Sequence, residues 1–167
     1  RVIRSTYNPV VRPAEMDNGM VFFGPDTKVG LVPLSPTLMY MFIVTAEAKS
    51  IPLAYAMSVH SGIPYLVLRK SVKGYMGKAL GVETNSITTG KPQMLYLDER
   101  DLKAVAGKRV ALVDDVVSTG STQAAMRALM EQAGATVVAD AAILTEGDAQ
   151  KWRHVLALGH VPVFTGE

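Results

Sequence analysis

The chain is predicted to fold as an α/β domain, a twisted parallel sheet flanked by helices, with a small hood contributed by its N-terminal segment. Three observations carry this expectation. From Phe42 onward, short apolar runs alternate with helix-compatible segments, the pattern of strands joined by right-handed crossovers. The run Val110-Ala111-Leu112-Val113 follows a Gly107-Lys108-Arg109 turn and suits a strand covered on both faces. That strand ends in two adjacent carboxylates and a small, hydroxyl-rich turn opening a helix, at the strand end where open α/β sheets hold their ligands. Residues 1–40 are assigned to the hood and 41–167 to the core of what is one domain overall.

Element by element, Pro9, Pro13, Pro25, Pro33 and Pro36 keep long helices out of the first forty residues, leaving 19–23 and 29–32 as short strands. The core then reads as a strand over 42–45, a loop, a helix over 52–61 and a strand over 65–68. Residues 69–98 form a long mobile stretch with a hairpin around Thr89-Gly90-Lys91-Pro92. A strand over 110–113, a helix over 123–132, a strand over 136–144, a short helix near 150–157 and a final strand over 161–164 complete the order. The link from Leu34-Ser35-Pro36 to the strand at Phe42 is short for an α/β unit, so it is either unusually tight or lacks residues. The sequence opens on Arg1 rather than methionine, which is compatible with residues before it, and any targeting signal they held, being absent from it.

Composition narrows the function classes. A chain of 167 residues with 49% hydrophobic and 19% charged content has enough apolar material for one real core. A net charge of +2 is too small to imply nucleic-acid binding, and the most apolar stretch, 38–46, is far short of a membrane span. The absence of cysteine excludes disulfides and thiol chemistry and is compatible with a reducing cytoplasm. His60, His154 and His160 lack metal-ligand spacing and are assigned surface or structural roles.

The chemistry concentrates at Asp114-Asp115-Val116-Val117-Ser118-Thr119-Gly120-Ser121-Thr122. Ser118, Thr119, Gly120, Ser121 and Thr122 can curl their backbone N–H groups around an anion, with Gly120 free to take positive φ. Thr122 is expected to cap the following helix, whose N-terminal dipole also favours a phosphate. Asp114 and Asp115 suit hydroxyls or a bound cation rather than the phosphate, so a sugar phosphate satisfies both halves. A polar strand end before a capped helix is the alternative for a lone Asp-Asp pair.

The full string resembles the phosphoribosyl pyrophosphate (PRPP) motif of the type I phosphoribosyltransferases, and the likeness runs over about 42–164. The resemblance implies that the turn holds the 5-phosphate and the acidic pair the ribose 2- and 3-hydroxyls. Glu47, Ala48, Lys49 and Ser50 are similar to the pyrophosphate loop of the adenine branch, with Ser50 where glycine is usual; by chemistry alone Glu47 and Lys49 are equally a solvated loop pair. Arg69, Lys70 and Lys73, in a run of four cations around Gly74 and Gly77, match the mobile lid over pyrophosphate, or else a solvated face. Two departures concern the base. Ser118 stands where common hypoxanthine-guanine enzymes carry a third aspartate, and Ser86 to Gly90 lacks the adenine branch's glutamate, leaving Glu83 as the nearest acid.

What the resemblance implies is a purine phosphoribosyltransferase, with adenine favoured by the Glu47 loop and hypoxanthine or xanthine/guanine as the alternative. Asp114, Asp115, Lys73 and Glu83 are its candidate catalytic residues, and Phe22 or Phe23 of the hood stacks on the base or is plain core. Mg²⁺ is expected, bound mainly through PRPP and water with no protein metal ligands. The partners are PRPP and a purine base, in a cytoplasmic homodimer with no nucleic acid and no membrane. A non-catalytic PRPP- or nucleotide-binding regulatory module on the same fold is the reading from another class.

Overall fold

The computed structural model describes residues 21–22, 30–31, 41–84 and 93–163. From the N-terminal forty residues it gives β1 (Val21–Phe22) and β2 (Gly30–Leu31), an antiparallel pair with Val21 opposite Leu31 and Phe22 opposite Gly30. These are the two short strands that the prolines leave room for. Phe23 and the 34–40 junction lie outside the described residues, as does the side chain of Phe22.

The core is a five-stranded sheet built from β3 (Met41–Ala46), β4 (Tyr65–Leu68), β7 (Arg109–Val117), β8 (Thr136–Glu146) and β9 (Val155–Val161), in the order β4-β3-β7-β8-β9 and parallel throughout. β5 (Leu80–Thr84) and β6 (Gln93–Leu97) form a separate antiparallel pair. They are the two arms of the expected hairpin, whose tip lies outside the described residues. The main-chain bridge between Arg69 and Tyr96 joins this pair to the end of β4, at 2.9 and 2.7 Å.

The central strands are apolar on both sides because each side carries a layer. Val44, Ala46, Leu66, Leu68, Val110 and Leu112 pack with Met126, Leu129 and Met130 of α3 (Ser121–Gln132) and with Leu95 and Leu97 of the hairpin. The alternate residues Ile43, Val113 and Ala141 pack on Ala54 and Met57 of α1 (Ile51–Ser61). This period of two along the strands puts α1 and α3 on opposite faces. α1 starts with proline in its first turn and stops at Gly62, whose φ of 74° lets its N–H reach the Ser58 carbonyl at 2.8 Å. α3 is tied to β8 by the Arg127–Asp140 ion pair.

Four expectations need correction. β7 does not stop at Val113 but runs to Val117, since its backbone stays in register with β8 as far as Thr145. A helix that the sequence reading lacked, α2 (Glu99–Val105), follows β6; Asp98 caps it by accepting the Arg100 N–H at 2.7 Å, and Glu99 and Asp101 favour its first turn. No helix forms near 150–157. There a tight turn at Asp148, whose carboxylate accepts the Gln150 N–H at 2.9 Å, leads straight into β9. The helix-forming residues Leu156 to Leu158 are claimed by pairing with β8 instead, and the last strand therefore spans Val155–Val161 rather than 161–164. His160 fixes that pairing: its Nε2–H donates to the Gly147 carbonyl at 3.0 Å and its Nδ1 accepts from Thr145 at 2.9 Å.

Among the described residues no helix is long and apolar enough to cross a membrane. Leu112 is fully buried at the centre of the sheet, whereas Leu158 is 55% exposed on β9. Leu112→Ala should therefore cost about 2–5 kcal/mol in urea denaturation and Leu158→Ala about 0.5 kcal/mol. Equal losses would refute this placement of the core.

Candidate functional site

The sheet reverses its winding between β3 and β7. β3 runs through α1 to β4 on one side, and β7 runs through α3 to β8 on the other. A crevice outside the strand ends forms at such a point. β3 is level with β7 only up to about Asp114, because Val44 pairs with Leu112 and β3 ends at Ala46. The chain leaving β3 as 47–50 therefore turns across the acidic pair on β7. The Glu47–Ala48 peptide in this loop is cis.

Ser50 is the node. Its hydroxyl lies 2.5 Å from Asp114 Oδ1 and 3.2 Å from Asp115 Oδ1, and it accepts the Asp115 N–H at 3.1 Å. One hydroxyl carries one proton, so the short contact is the donated one. Asp114 Oδ1 also accepts the Asp115 N–H, at 3.0 Å. Among the described residues no donor reaches Oδ2 of either aspartate, so each carboxylate keeps at least one oxygen without a donor. Ser50 itself has φ −81° and ψ −5°, ordinary helical values. The loop thus has no conformational need for the glycine usual there, and the serine side chain does work that a glycine could not.

Asp114 is only 8% exposed. Burial, with the neighbouring Asp115 carboxylate, pushes its pKa up to about 6 against the opposing bonds from Ser50 and the Asp115 N–H. Glu47 goes the other way. Burial raises it, but the Lys70 N–H at 2.6 Å, the Arg69 guanidinium at 3.2 Å and the Lys73 ammonium at 4.0 Å together hold it below the usual carboxylate range. Glu47 is therefore an organiser of cations and not a direct ligand for an anion. It gathers Arg69, Lys70 and Lys73 from the segment after β4 against the loop after β3. Ala48 and Lys49 form the exposed middle of that loop, next to Ser50.

The turn after β7 is built as an anion cradle. Gly120 takes φ +83° and is itself the N-cap of α3, with no side-chain capping bond. This corrects the expectation for Thr122, which lies inside the first helical turn. The helix begins two residues early because left-handed Gly120 already reverses the chain. The Ser121 N–H meets Thr119 Oγ1 at 3.3 Å, and the Thr119 and Ser121 hydroxyls are 3.0 Å apart; the other first-turn N–H groups have no acceptor within the helix.

Thus Ser50 ties the 47–50 loop to Asp114 and Asp115, Glu47 ties the same loop to Arg69, Lys70 and Lys73, and Ser118 to Thr122 follow the aspartates at the end of β7. Glu83 does not join them by any bond: it is exposed on β5 opposite Met94. Sequence reasoning missed the β8–β9 turn, where Lys151 donates to the Thr119 carbonyl at 3.1 Å and Trp152 packs beneath Gly120. The adjacent basic and aromatic residues at 151–152 were its signal, masked by assignment to a helix. Among the described residues no group of three or more His, Cys, Asp or Glu side chains could hold a metal.

The chain matches the phosphoribosyl transferase domain over residues 38–157. It is 38% identical over 108 residues to a hypoxanthine/guanine phosphoribosyltransferase of Methanococcus voltae, covering 65% of this chain and 54% of that relative, so it spans about half the relative's length. A hypoxanthine/guanine phosphoribosyltransferase of Methanocella paludicola is 30% identical over 153 residues, 90% of this chain and 75% of the relative. Among solved structures, the adenine phosphoribosyltransferase of Thermoanaerobacter pseudethanolicus superposes with a TM-score of 0.62 at 22% identity, covering 73% of this chain and 71% of that one.

The raised pKa of Asp114 has a consequence for stability. A carboxyl that holds its proton more tightly when folded adds stability that is fully present below its unfolded pKa near 3.8 and is lost as pH rises through about 6. Urea denaturation should show the wild type losing up to about 3 kcal/mol relative to Asp114→Asn between pH 4 and pH 7. Parallel pH profiles for the two proteins would contradict it.

Proposed function

This chain belongs to the phosphoribosyltransferase family, and on that premise we propose that it transfers the ribose 5-phosphate unit of PRPP to a purine base, releasing pyrophosphate. The observation that carries the proposal is the Ser50 node, which leaves one free carboxylate oxygen on each of Asp114 and Asp115 beside the cradle after β7. Two adjacent acceptors suit a vicinal diol, and the cradle suits the phosphate on the same sugar. The cations gathered by Glu47 lie along the same crevice, where a departing pyrophosphate needs positive charge.

In the proposed reaction the bond from the anomeric carbon to pyrophosphate breaks as a bond to a ring nitrogen of the base forms, through an oxocarbenium-like state. The aspartates fix the ribose through its hydroxyls and place negative charge near the carbon that becomes cationic. Arg69 and Lys73, held beside Glu47, supply positive charge to the leaving group, and that nitrogen loses its proton to water or to a loop acid. Asp114 and Asp115 are hard oxygen donors too few for a closed cage, which fits Mg²⁺ arriving on PRPP with its own waters. Bound there, Mg²⁺ would supply charge neutralisation for the pyrophosphate.

For the base we propose a 6-oxopurine, hypoxanthine or guanine. Support comes from the relatives at 38% and 30% identity, both named for those bases. The adenine preference expected from the Glu47 loop has behind it a structural neighbour at 22% identity, a likeness in fold alone, and it stands as the second reading. The Glu47 loop serves pyrophosphate, not the base, which weakens it as a guide to base identity.

With PRPP and Mg²⁺, kcat/KM for hypoxanthine or guanine should exceed that for adenine by about 10³-fold or more, since a site built to bond O6 leaves buried groups unpaired against a 6-amino group. Adenine in first place would establish the second reading, and no pyrophosphate release with any base would favour a regulatory module. Asp114→Asn combined with Asp115→Asn should abolish transfer and weaken PRPP binding by about 100-fold or more, because two charged hydrogen bonds of roughly 1.5–3 kcal/mol each are lost. Calorimetry showing unimpaired PRPP binding by the folded double variant would remove the aspartates from the site.

A further inference from the structure

The turn between β8 and β9 supports the 118–122 cradle from outside, and the chemistry described so far assigns it nothing. Trp152 is 7% exposed. Its Nε1–H donates to the Glu146 carbonyl at 2.8 Å, and its ring packs with Val117, Ala142 and Val155. These contacts fix the indole, and its far edge lies against Gly120: a Cβ at that position would stand 2.5 Å from Cη2 and 3.0 Å from Cζ3. The ring thus fills the space that any side chain at 120 would need. Backbone conformation and packing agree there, since Gly120 sits at φ +83°.

Lys151 holds the other side of the same peptide. Its Nζ lies 4.4 Å from the centre of the Trp152 ring and donates to the Thr119 carbonyl at 3.1 Å. In a trans peptide the C=O and the following N–H point in opposite directions. Drawing the Thr119 carbonyl onto Lys151 therefore aims the Gly120 N–H away from it, and among the described residues no hydrogen bond takes that N–H.

Resting on the reading of 118–122 as the 5-phosphate cradle, we propose that Lys151 and Trp152 are its positioning residues: the indole holds Gly120 in its left-handed conformation, and the ammonium orients the Thr119–Gly120 peptide so that its N–H serves the phosphate. Neither side chain needs to touch the ligand. The β8–β9 turn is thereby part of the PRPP site, although it lies about thirty residues beyond the motif.

Trp152 is the chain's single tryptophan, so the protein reports on this contact without a label. Ribose 5-phosphate and inorganic phosphate are titrated into the wild-type protein, following tryptophan fluorescence and, separately, the heat of binding. A saturable emission change with the calorimetric Kd is expected. Lys151→Ala should raise the Kd for ribose 5-phosphate and the KM for PRPP by about 5- to 10-fold, and Lys151→Arg should return both to within about twofold. The KM for the base and the melting temperature of these exposed-site variants should not move, which a merely structural role would not predict. Trp152→Phe should keep most of the affinity and Trp152→Ala lose it. Binding heat with flat wild-type fluorescence, or Lys151→Ala binding like the wild type, would overturn the positioning role alone. Absence of binding heat with the wild type would overturn the cradle itself, and this proposal with it.

Discussion

The arrangement of the site depends on one hydroxyl, that of Ser50. Two aspartates in succession on a buried strand repel each other, and Asp114 is largely removed from water. Without a donor the pair would hold a proton or turn apart. Ser50 donates a hydrogen bond to the Asp114 carboxylate while accepting the main-chain N–H of Asp115, and so binds the loop after β3 to the strand that carries the acids. A residue that departs from the glycine usual at that point of the loop has become its principal tie to β7.

The same tie explains how three separate segments make one site. Glu47, three residues before Ser50, draws in Arg69, Lys70 and Lys73 from beyond β4. On the other side β7 continues from the aspartates into the 118–122 turn, which the β8–β9 turn braces through Lys151 and Trp152. Negative groups thus stand in the middle of the crevice and donors at both ends. This order rests on the reversal of winding between β3 and β7, which opens the crevice in the first place.

Glu47 and Asp114 have opposite environments. Glu47 is surrounded by cations and stays ionised, while Asp114 is buried beside another acid and titrates near 6. The first condition keeps the cationic segment docked at any ordinary pH. The second makes the Asp114 end of the site sensitive to mild acid, because a protonated Asp114 offers a donor in place of an acceptor.

By itself the sequence determined the alternation of strands and helices from Phe42, the anion turn with its positive-φ glycine, and the acidic pair as its companion. These are legible because they depend on local order: period-two apolar runs, Gly120 in a hydroxyl-rich turn, two carboxylates at the end of a buried run. The strand of Asp114 and Asp115 was read as ending at Val113 because its extension is held by pairing with β8, a partner more than twenty residues away. The helix expected near 150–157 failed for the same reason, since residues with helical propensity were captured by the sheet edge. Only the tertiary structure could decide that Ser50 joins residues 64 and 65 positions distant, that Glu47 organises cations, and that Trp152 underlies Gly120. Each is a contact between segments far apart in the chain, specified by the packing of α1 and α3 on opposite faces of the sheet and by no pattern within either segment.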